Sequence, residues 1–136
     1  MKQRYTLENS EKRARATGFS LPISTKHSVE VCNFIRNKKL DTAISYLRDV
    51  VAGKMAIPYK RYKRDLGHKK GFAAGRYPKK TCEEIIKLLE STKANAEDKG
   101  LGENLVIKHI SASKASRPWR YGRHRRRKAK SAPSIL

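Results

Sequence analysis

The chain has 136 residues, with 33 Lys and Arg against 12 Asp and Glu and a formal net charge of +21, where an ordinary small soluble domain carries roughly 2–8. That length supports one modest core with extensions, and no apolar run approaches the ~18 residues of a transmembrane helix. So large an excess calls for a polyanionic partner, and nucleic acid, with a phosphate about every 1.7 Å of duplex, rewards neutralising contacts through counterion release.

In chain order, "MKQRYTLENSEKRARATG" has no apolar h-region and carries Glu8 and Glu11, so residues 1–18 read as a basic extension and not as a secretory signal. "GFSLPIST" alternates Phe19, Leu21 and Ile23, which predicts a short strand. "STKHSVEVCNFIRNK" offers Ser24 or Thr25 as an N-cap and puts Ser28, Val31, Cys32 and Ile35 on one face, predicting a helix over about 25–37. "KKLDTAISYLRDVVAGK" predicts a second helix, capped by Asp41 or Thr42, striped by Ala43, Ile44, Leu47, Val50 and Val51, and ended by Gly53.

A third helix follows Pro78 in "KKTCEEIIKLLESTKANAEDKG". Glu83 and Glu84 are expected in its first turns, Cys82, Ile85, Ile86, Leu89 and Ala96 on its buried side, and Gly100 at its end. "ENLVIKHISASKA" returns to period two, with Leu105, Ile107, His109 and Ser111 on one face and Val106, Lys108, Ile110 and Ala112 on the other. The expected architecture is α+β: three helices packed on a small antiparallel sheet, with a long basic hairpin-like extension. Cys32 and Cys82 form no CxxC pair and fall on buried faces, which fits core thiols in a reducing compartment.

Charge is sorted along this chain. Residues 28–53 hold four basic and three acidic side chains, and residues 81–113 hold four and six. Those foldable segments come to −1, so residues 1–27, 54–80 and 114–136 carry the remaining +22. A balanced scaffold that presents basic loops and ends is the arrangement expected of an RNA- or DNA-binding protein.

Within "IPYKRYKRDLGHKKGFAAGRYPKK", Tyr59, Tyr62, Phe72 and Tyr77 interleave with Lys60, Arg61, Lys63, Arg64, His68, Lys69, Lys70, Arg76, Lys79 and Lys80. Aromatic faces stack on bases or sugars while adjacent cations neutralise phosphate, and Gly67, Gly71 and Gly75 allow close backbone approach. A flexible basic linker is the plainer alternative. The tail "SRPWRYGRHRRRKAKSAPSIL" repeats the recipe: Trp119 and Tyr121 stand among Arg117, Arg120, Arg123, His124, Arg125, Arg126, Arg127, Lys128 and Lys130, preceded by Lys114. Arginine predominates there, suiting forked phosphate contacts and stacking.

Catalysis has no foothold. His27, His68, His109 and His124 lack metal-ligand spacing and read as surface or RNA-facing residues. No phosphate loop, dinucleotide fingerprint or nucleophile elbow is present, and Glu83 and Glu84 are accounted for by the helix macrodipole. No cofactor, metal, membrane or small-molecule substrate is implied. The rival from another class is a nuclear or chromatin-associated polybasic protein using residues 117–130 as a generic tail.

The segments "KRARATGFSLPISTKHSVEV", "LDTAISYLRDVV", "IPYKRYKRDLGHKKG", "AGRYPKKTCEEIIKLLESTKANAEDKGL" and "LVIKHISASKASRPWRYGRHRR" resemble, in this order, the large-subunit ribosomal protein family numbered twenty-two in bacteria and seventeen in eukaryotes. "RARATG" and "GHKKGFAAGRYPKK" look like its archaeal and eukaryotic branch. The resemblance covers about residues 12–130. It implies a non-enzymatic constituent of the large subunit that binds large-subunit ribosomal RNA, supports its assembly and contacts neighbouring ribosomal proteins. It also implies a body near the exit of the nascent-peptide tunnel and a hairpin along the tunnel wall, in cytoplasmic ribosomes, with nucleolar assembly if the source is eukaryotic.

Carried over by position, Arg13 and Arg15 match an RNA-contacting N-terminal element, and residues 59–80 match an RNA contact of the globular body. Lys108 to Ser116 match the outgoing arm, and Arg117 to Lys130 its tip and turn. Lys26 joins the RNA-binding set, and Arg117, Trp119, Arg120, Tyr121, Arg123, Arg125 and Arg126 are expected to line the tunnel and meet the nascent polypeptide. The expected organisation is an N-terminal extension over 1–18, a globular domain over 19–113 that includes the basic loop 57–80, and a tunnel extension over 114–136. "SAPSIL" looks like the start of the family's return strand, cut short. That predicts an arm without its partner, "NLVIKHISAS" at a sheet edge beside residues 19–24, and a hairpin ordered only by RNA.

Overall fold

Apolar side chains recur every three or four residues in three stretches, and each stretch is a helix in the computed structural model, which describes residues 12–115 and the backbone of 119–120, 127–128 and 134–135. Helix α1 spans Thr25–Ile35, α2 spans Leu40–Val51 and α3 spans Lys79–Asp98. The buried residues match the predicted stripes: Ser28, Val31, Cys32 and Ile35 on α1, Ala43, Ile44, Leu47 and Val50 on α2, and Cys82, Ile85, Leu89 and Ala96 on α3. Val51 and Ile86 pack at the margin of this core. Ser24 is the N-cap of α1. Gly53 (φ 80°) and Gly100 (φ 65°) follow α2 and α3 in the left-handed conformation that ends a helix cheaply only at glycine.

Between α2 and α3, strand β1 (Ile57–Pro58) pairs antiparallel with β2 (Gly75–Arg76), Ile57 opposite Arg76. Ile57 is fully buried, so this short pair hangs the basic loop on the core. The result is the expected α+β arrangement of three helices with a small antiparallel sheet.

Three local expectations are corrected. Residues 19–23 are a turn and not a strand: Ser20 has φ 48°, the Ile23 N–H donates to the Leu21 carbonyl at 2.8 Å, and Phe19 is 59% exposed. Pro22 also lacks the N–H a ladder needs. Asp41 and Thr42 do not cap α2; Lys39 is its N-cap, and the Leu40 N–H donates to the Leu105 carbonyl at 2.9 Å. A distant segment thus does the work of a capping side chain.

"NLVIKHISAS" likewise does not lie beside residues 19–24, and its last two residues alone, Ala112–Ser113, are in a strand. Ile107 and Ile110 are buried while Val106, Lys108 and His109 are exposed, so the alternation breaks after Ile107. The backbone of this segment is held by the α1–α2 turn. Asn37 N–H donates to the Ile107 carbonyl and Ile107 N–H to the Lys38 carbonyl, both at 2.9 Å, and Lys39 forms an isolated bridge with Val106. Arg36 Nη2 donates to the Ile110 carbonyl at 3.0 Å, fixing the segment at the C-terminal end of α1.

The extension that follows has its return strand. β3 (Ala112–Ser113) pairs antiparallel with β6 (Ser134–Ile135), and β4 (Trp119–Arg120) with β5 (Arg127–Lys128). Ala112 faces Ile135, Ser113 faces Ser134, Trp119 faces Lys128 and Arg120 faces Arg127. Between the ladders lie residues 114–118 on one arm and 129–133 on the other, five on each, so one register runs through both. The expectation of an unpartnered arm is therefore overturned: "SAPSIL" contains strand β6. The segment is legible as the start of a return strand, but its pairing is not, because hairpin pairing is set by backbone register more than by composition.

Candidate nucleic-acid interface

The loop carried by β1 and β2 is a built structure. Glu30 lies on α1 among core residues at 1% exposure, where an unpaired carboxylate would be costly. It is satisfied by backbone: Lys60 N–H donates to Oε2 at 3.0 Å, and Arg61 and Tyr62 N–H donate to Oε1 at 2.9 and 2.7 Å. Three successive amides converging on one anion form a nest, a concavity that elsewhere binds phosphate. Because these amides point inward, the chain is pinned while Lys60 and Arg61 project outward and exposed. Arg64 Nε donates to the Lys60 carbonyl at 2.6 Å, closing the turn from its other end.

Tyr59 corrects a sequence expectation. It is 3% exposed, and its ring is therefore unavailable for base stacking. It packs edge-on to His27, with ring centroids 5.5 Å apart, and its hydroxyl is hydrogen-bonded to His27 Nδ1. Burial, with Cys82 and Glu30 nearby, raises its pKa. Lys63, in left-handed backbone at φ 54°, brings its ammonium to 3.4 Å from His27 Nε2. An ammonium can only donate, so Nε2 accepts and Nδ1 carries the proton donated to Tyr59. Burial, then Lys63 and Arg76, lower the His27 pKa. His27 is thus part of the loop's footing and not a surface histidine.

Around this footing the N-terminal ends of α1 and α3 meet the loop. Lys26, Lys60, Arg61, Arg64, His68, Lys70, Arg76, Tyr77, Lys79 and Lys80 are exposed, and Lys63 and Lys69 are partly so. Lys69 Nζ lies 5.8 Å from the Tyr77 ring centre and the Arg61 guanidinium 5.3 Å from that of Tyr62. Helix α3 begins at Lys79 with no acid in its first turn, and Glu83 and Glu84 follow in the second. Cations at a helix N-terminus oppose the macrodipole by about 0.3–1 kcal/mol each. Lys79 and Lys80 are therefore poorly placed for the helix and well placed for an external anion.

Two of the three loop glycines have distinct roles. Gly71 (φ 89°) requires its backbone conformation, whereas a Cβ on Gly75 would meet the Phe72 ring at 2.4 Å and the Ile57 carbonyl at 3.2 Å. Gly75 thus serves close packing inside the protein, not approach by a ligand.

Arg13 and Arg15 lie elsewhere. The Arg13 carbonyl accepts from Lys99 Nζ at 3.0 Å and the Arg15 carbonyl from Asn95 Nδ2 at 2.9 Å. At 1.5 Å per residue, these sites near the end of α3 are about 25 Å from its start. Both arginines border a groove of about 430 Å³ between residues 12–16, α3 and residues 104–110. Exposed Lys114 stands at the root of the hairpin, beyond the C-terminal end of α1. Residues 117, 121, 123–126 and 130 of the expected set lie outside the described residues, and for Trp119, Arg120, Arg127 and Lys128 the backbone pairing alone is described.

Three ion pairs lie on the surfaces of α2 and α3. Arg48–Glu90, Lys87–Glu84 and Lys93–Asp41 pair at 3.1, 3.1 and 2.9 Å on α2 and α3. Cys32 and Cys82 are buried free thiols, each pushed up to about 12 mainly by burial, which leaves them protonated and unreactive. Among the described residues no group of three or more His, Cys, Asp or Glu is gathered to hold a metal, and no helix is long and apolar enough to cross a membrane.

A charge-balanced helical body with a cationic loop hung on its core and a two-stranded basic arm defines a structural α+β protein. Comparison with known proteins makes this specific: the family described as Ribosomal protein L22p/L17e matches residues 16–133. The large ribosomal subunit protein uL22 of Archaeoglobus fulgidus is 48% identical over 114 residues, 81% of this chain and 74% of the relative. Those of Methanocaldococcus jannaschii and Methanococcus aeolicus are 46% and 48% identical, over 88% and 83% of this chain and 80% and 77% of theirs. The chain belongs to the ribosomal protein L22p/L17e family, in its archaeal branch, and is a structural constituent of the large ribosomal subunit. The chromatin rival is left without support.

Proposed function

We propose that the protein binds large-subunit ribosomal RNA at three separated places, supports assembly of the subunit, and contributes its hairpin to the wall of the nascent-peptide tunnel. The observation that carries this reading is the distribution of cations over a balanced body: the 59–80 loop at one end of α1 and α3, Arg13 and Arg15 near the far end of α3, and the hairpin beyond the other end of α1. A protein so arranged can tie RNA segments that are distant in sequence. The extension 1–18, the body 19–113 and the arm 114–136 are the units of this design.

In the loop, Lys60, Arg61, Lys69, Lys70, Arg76, Lys79 and Lys80 neutralise phosphate, with Tyr77 available for stacking. In the arm, Arg117, Trp119, Arg120, Tyr121, Arg123, Arg125 and Arg126 face the tunnel, and its contact there is with the nascent chain. The protein works in cytoplasmic ribosomes and performs no chemistry; its contribution is to hold RNA in shape. Crosslinkers placed at Trp119 or Tyr121 should capture nascent chains in translating ribosomes, and crosslinks to RNA alone would remove the tunnel assignment. Replacing Arg123, Arg125, Arg126 and Arg127 by Ala should impair subunit assembly or tunnel passage more than replacing Lys87, an exposed lysine paired with Glu84. Equal effects would mean that net charge alone matters.

A further inference from the structure

We propose that Glu30 is the positioning residue of the basic loop: its carboxylate occupies the amides of Lys60, Arg61 and Tyr62, presets the turn before RNA arrives, and leaves phosphate to be met by side chains alone. The proposal rests on the reading of this loop as an RNA contact.

Between residues 60 and 64 the chain places Lys60, Arg61, Lys63 and Arg64 side by side. Mutual repulsion should keep such a run open until a polyanion neutralises it. Here an anion is supplied from within. Glu30 is nine-tenths or more buried, sits on a rigid helix, and accepts from all three amides at 2.7–3.0 Å. Hydrogen bonds to a charged group are the stronger kind, and ordering each residue costs roughly 1–2 kcal/mol of backbone entropy. Ordering the turn during folding removes that cost from RNA binding.

A second consequence is chemical. Consecutive amides in a nest are a generic phosphate site. With Glu30 seated in it, phosphate is excluded from the backbone and must engage Lys60 and Arg61, whose reach and fork geometry can discriminate. The same side chains would otherwise compete with their own backbone for one phosphate.

Two measurements on the full chain test this. In the free protein, amide hydrogen exchange at Lys60, Arg61 and Tyr62 should be at least about tenfold slower than at the exposed loop residues Gly67 and His68. In Glu30→Gln that protection should vanish while α2 and α3 stay protected. Unprotected amides in the wild type overturn the presetting, whether or not the variants fold.

The second measurement is affinity for in vitro transcribed archaeal large-subunit rRNA across a salt series. Replacing Lys60 and Arg61 by Ala should weaken the wild type about tenfold or more and flatten its salt slope by about two. Glu30→Gln should already carry most of that loss, so the added substitutions cost it little. Arg13→Ala should weaken both backgrounds by the same factor. Full additivity with Lys60 and Arg61, or equal coupling to Arg13, overturns the positioning role. A wild type that fails to bind rRNA at all removes the functional reading of the loop, while slow exchange at Lys60, Arg61 and Tyr62 would still sustain the presetting by Glu30.

Discussion

At the scale of single residues, two side chains carry information that their letters conceal. Glu30 lies in a helix where an acid reads as solvated, and Tyr59 lies in a basic run where an aromatic reads as a stacking platform. Both are buried, and each meets a partner about 30 positions away in sequence, which local periodicity cannot register. The His27 imidazole between Tyr59 and Lys63 also gives a pH dependence whose sign is fixed. Its folded-state pKa lies below the ordinary imidazole value of 6.5; the unfolded chain therefore binds the proton more readily. The stability it contributes is complete above pH 6.5 and is lost as pH falls through the lowered value. Urea midpoints measured from about pH 7 down to 5 should decline in the wild type and decline less in His27→Gln. Parallel profiles would assign the acid sensitivity to other groups.

Elements show a cleaner division between what sequence discloses and what it hides. All three helices and nearly all their buried positions are legible, because a 3.6-residue stripe is a local property and each helix runs long enough to display it. The turn at residues 19–23 and the extended segment at 104–110 were not legible. Their backbone partners are the Leu21 carbonyl and the α1–α2 turn, and neither leaves a period in the sequence. Packing rather than ion pairing should hold α2 to α3. Leu47→Ala, at a fully buried position, is expected to cost about 2–5 kcal/mol, against about 0–1 for removing the exposed Arg48–Glu90 pair by Glu90→Ala. Chemical denaturation of both variants measures the contrast directly. Comparable losses would show that the two helices are clasped from outside.

Over the whole molecule, the charge map drawn from sequence survives as geography. Beyond the first turn of α3, the cations of α2 and α3 have acidic neighbours: Arg48, Lys87 and Lys93 pair with carboxylates, and Lys99, just past α3, holds the Arg13 carbonyl. The partners of Lys93 and Lys99 lie 52 and 86 positions away, which the sequence could not disclose. Replacing Lys60, Arg61, Lys69 and Lys70 by Ala should lower the salt dependence of rRNA binding by about four in slope, whereas Lys87→Ala should leave it unchanged. A common decrease at both places would mean that the molecule binds as a diffuse cation.

The single register of the hairpin makes it a ruler. Each residue added to both arms lengthens its reach by about 3.4 Å, and because a strand alternates its faces, only an even number preserves which side chains look which way. Functional length variants of this arm should therefore fall in steps of two residues per arm, about 7 Å apart. A one-residue deletion confined to one arm would shorten the ruler little yet exchange its two faces beyond the lesion.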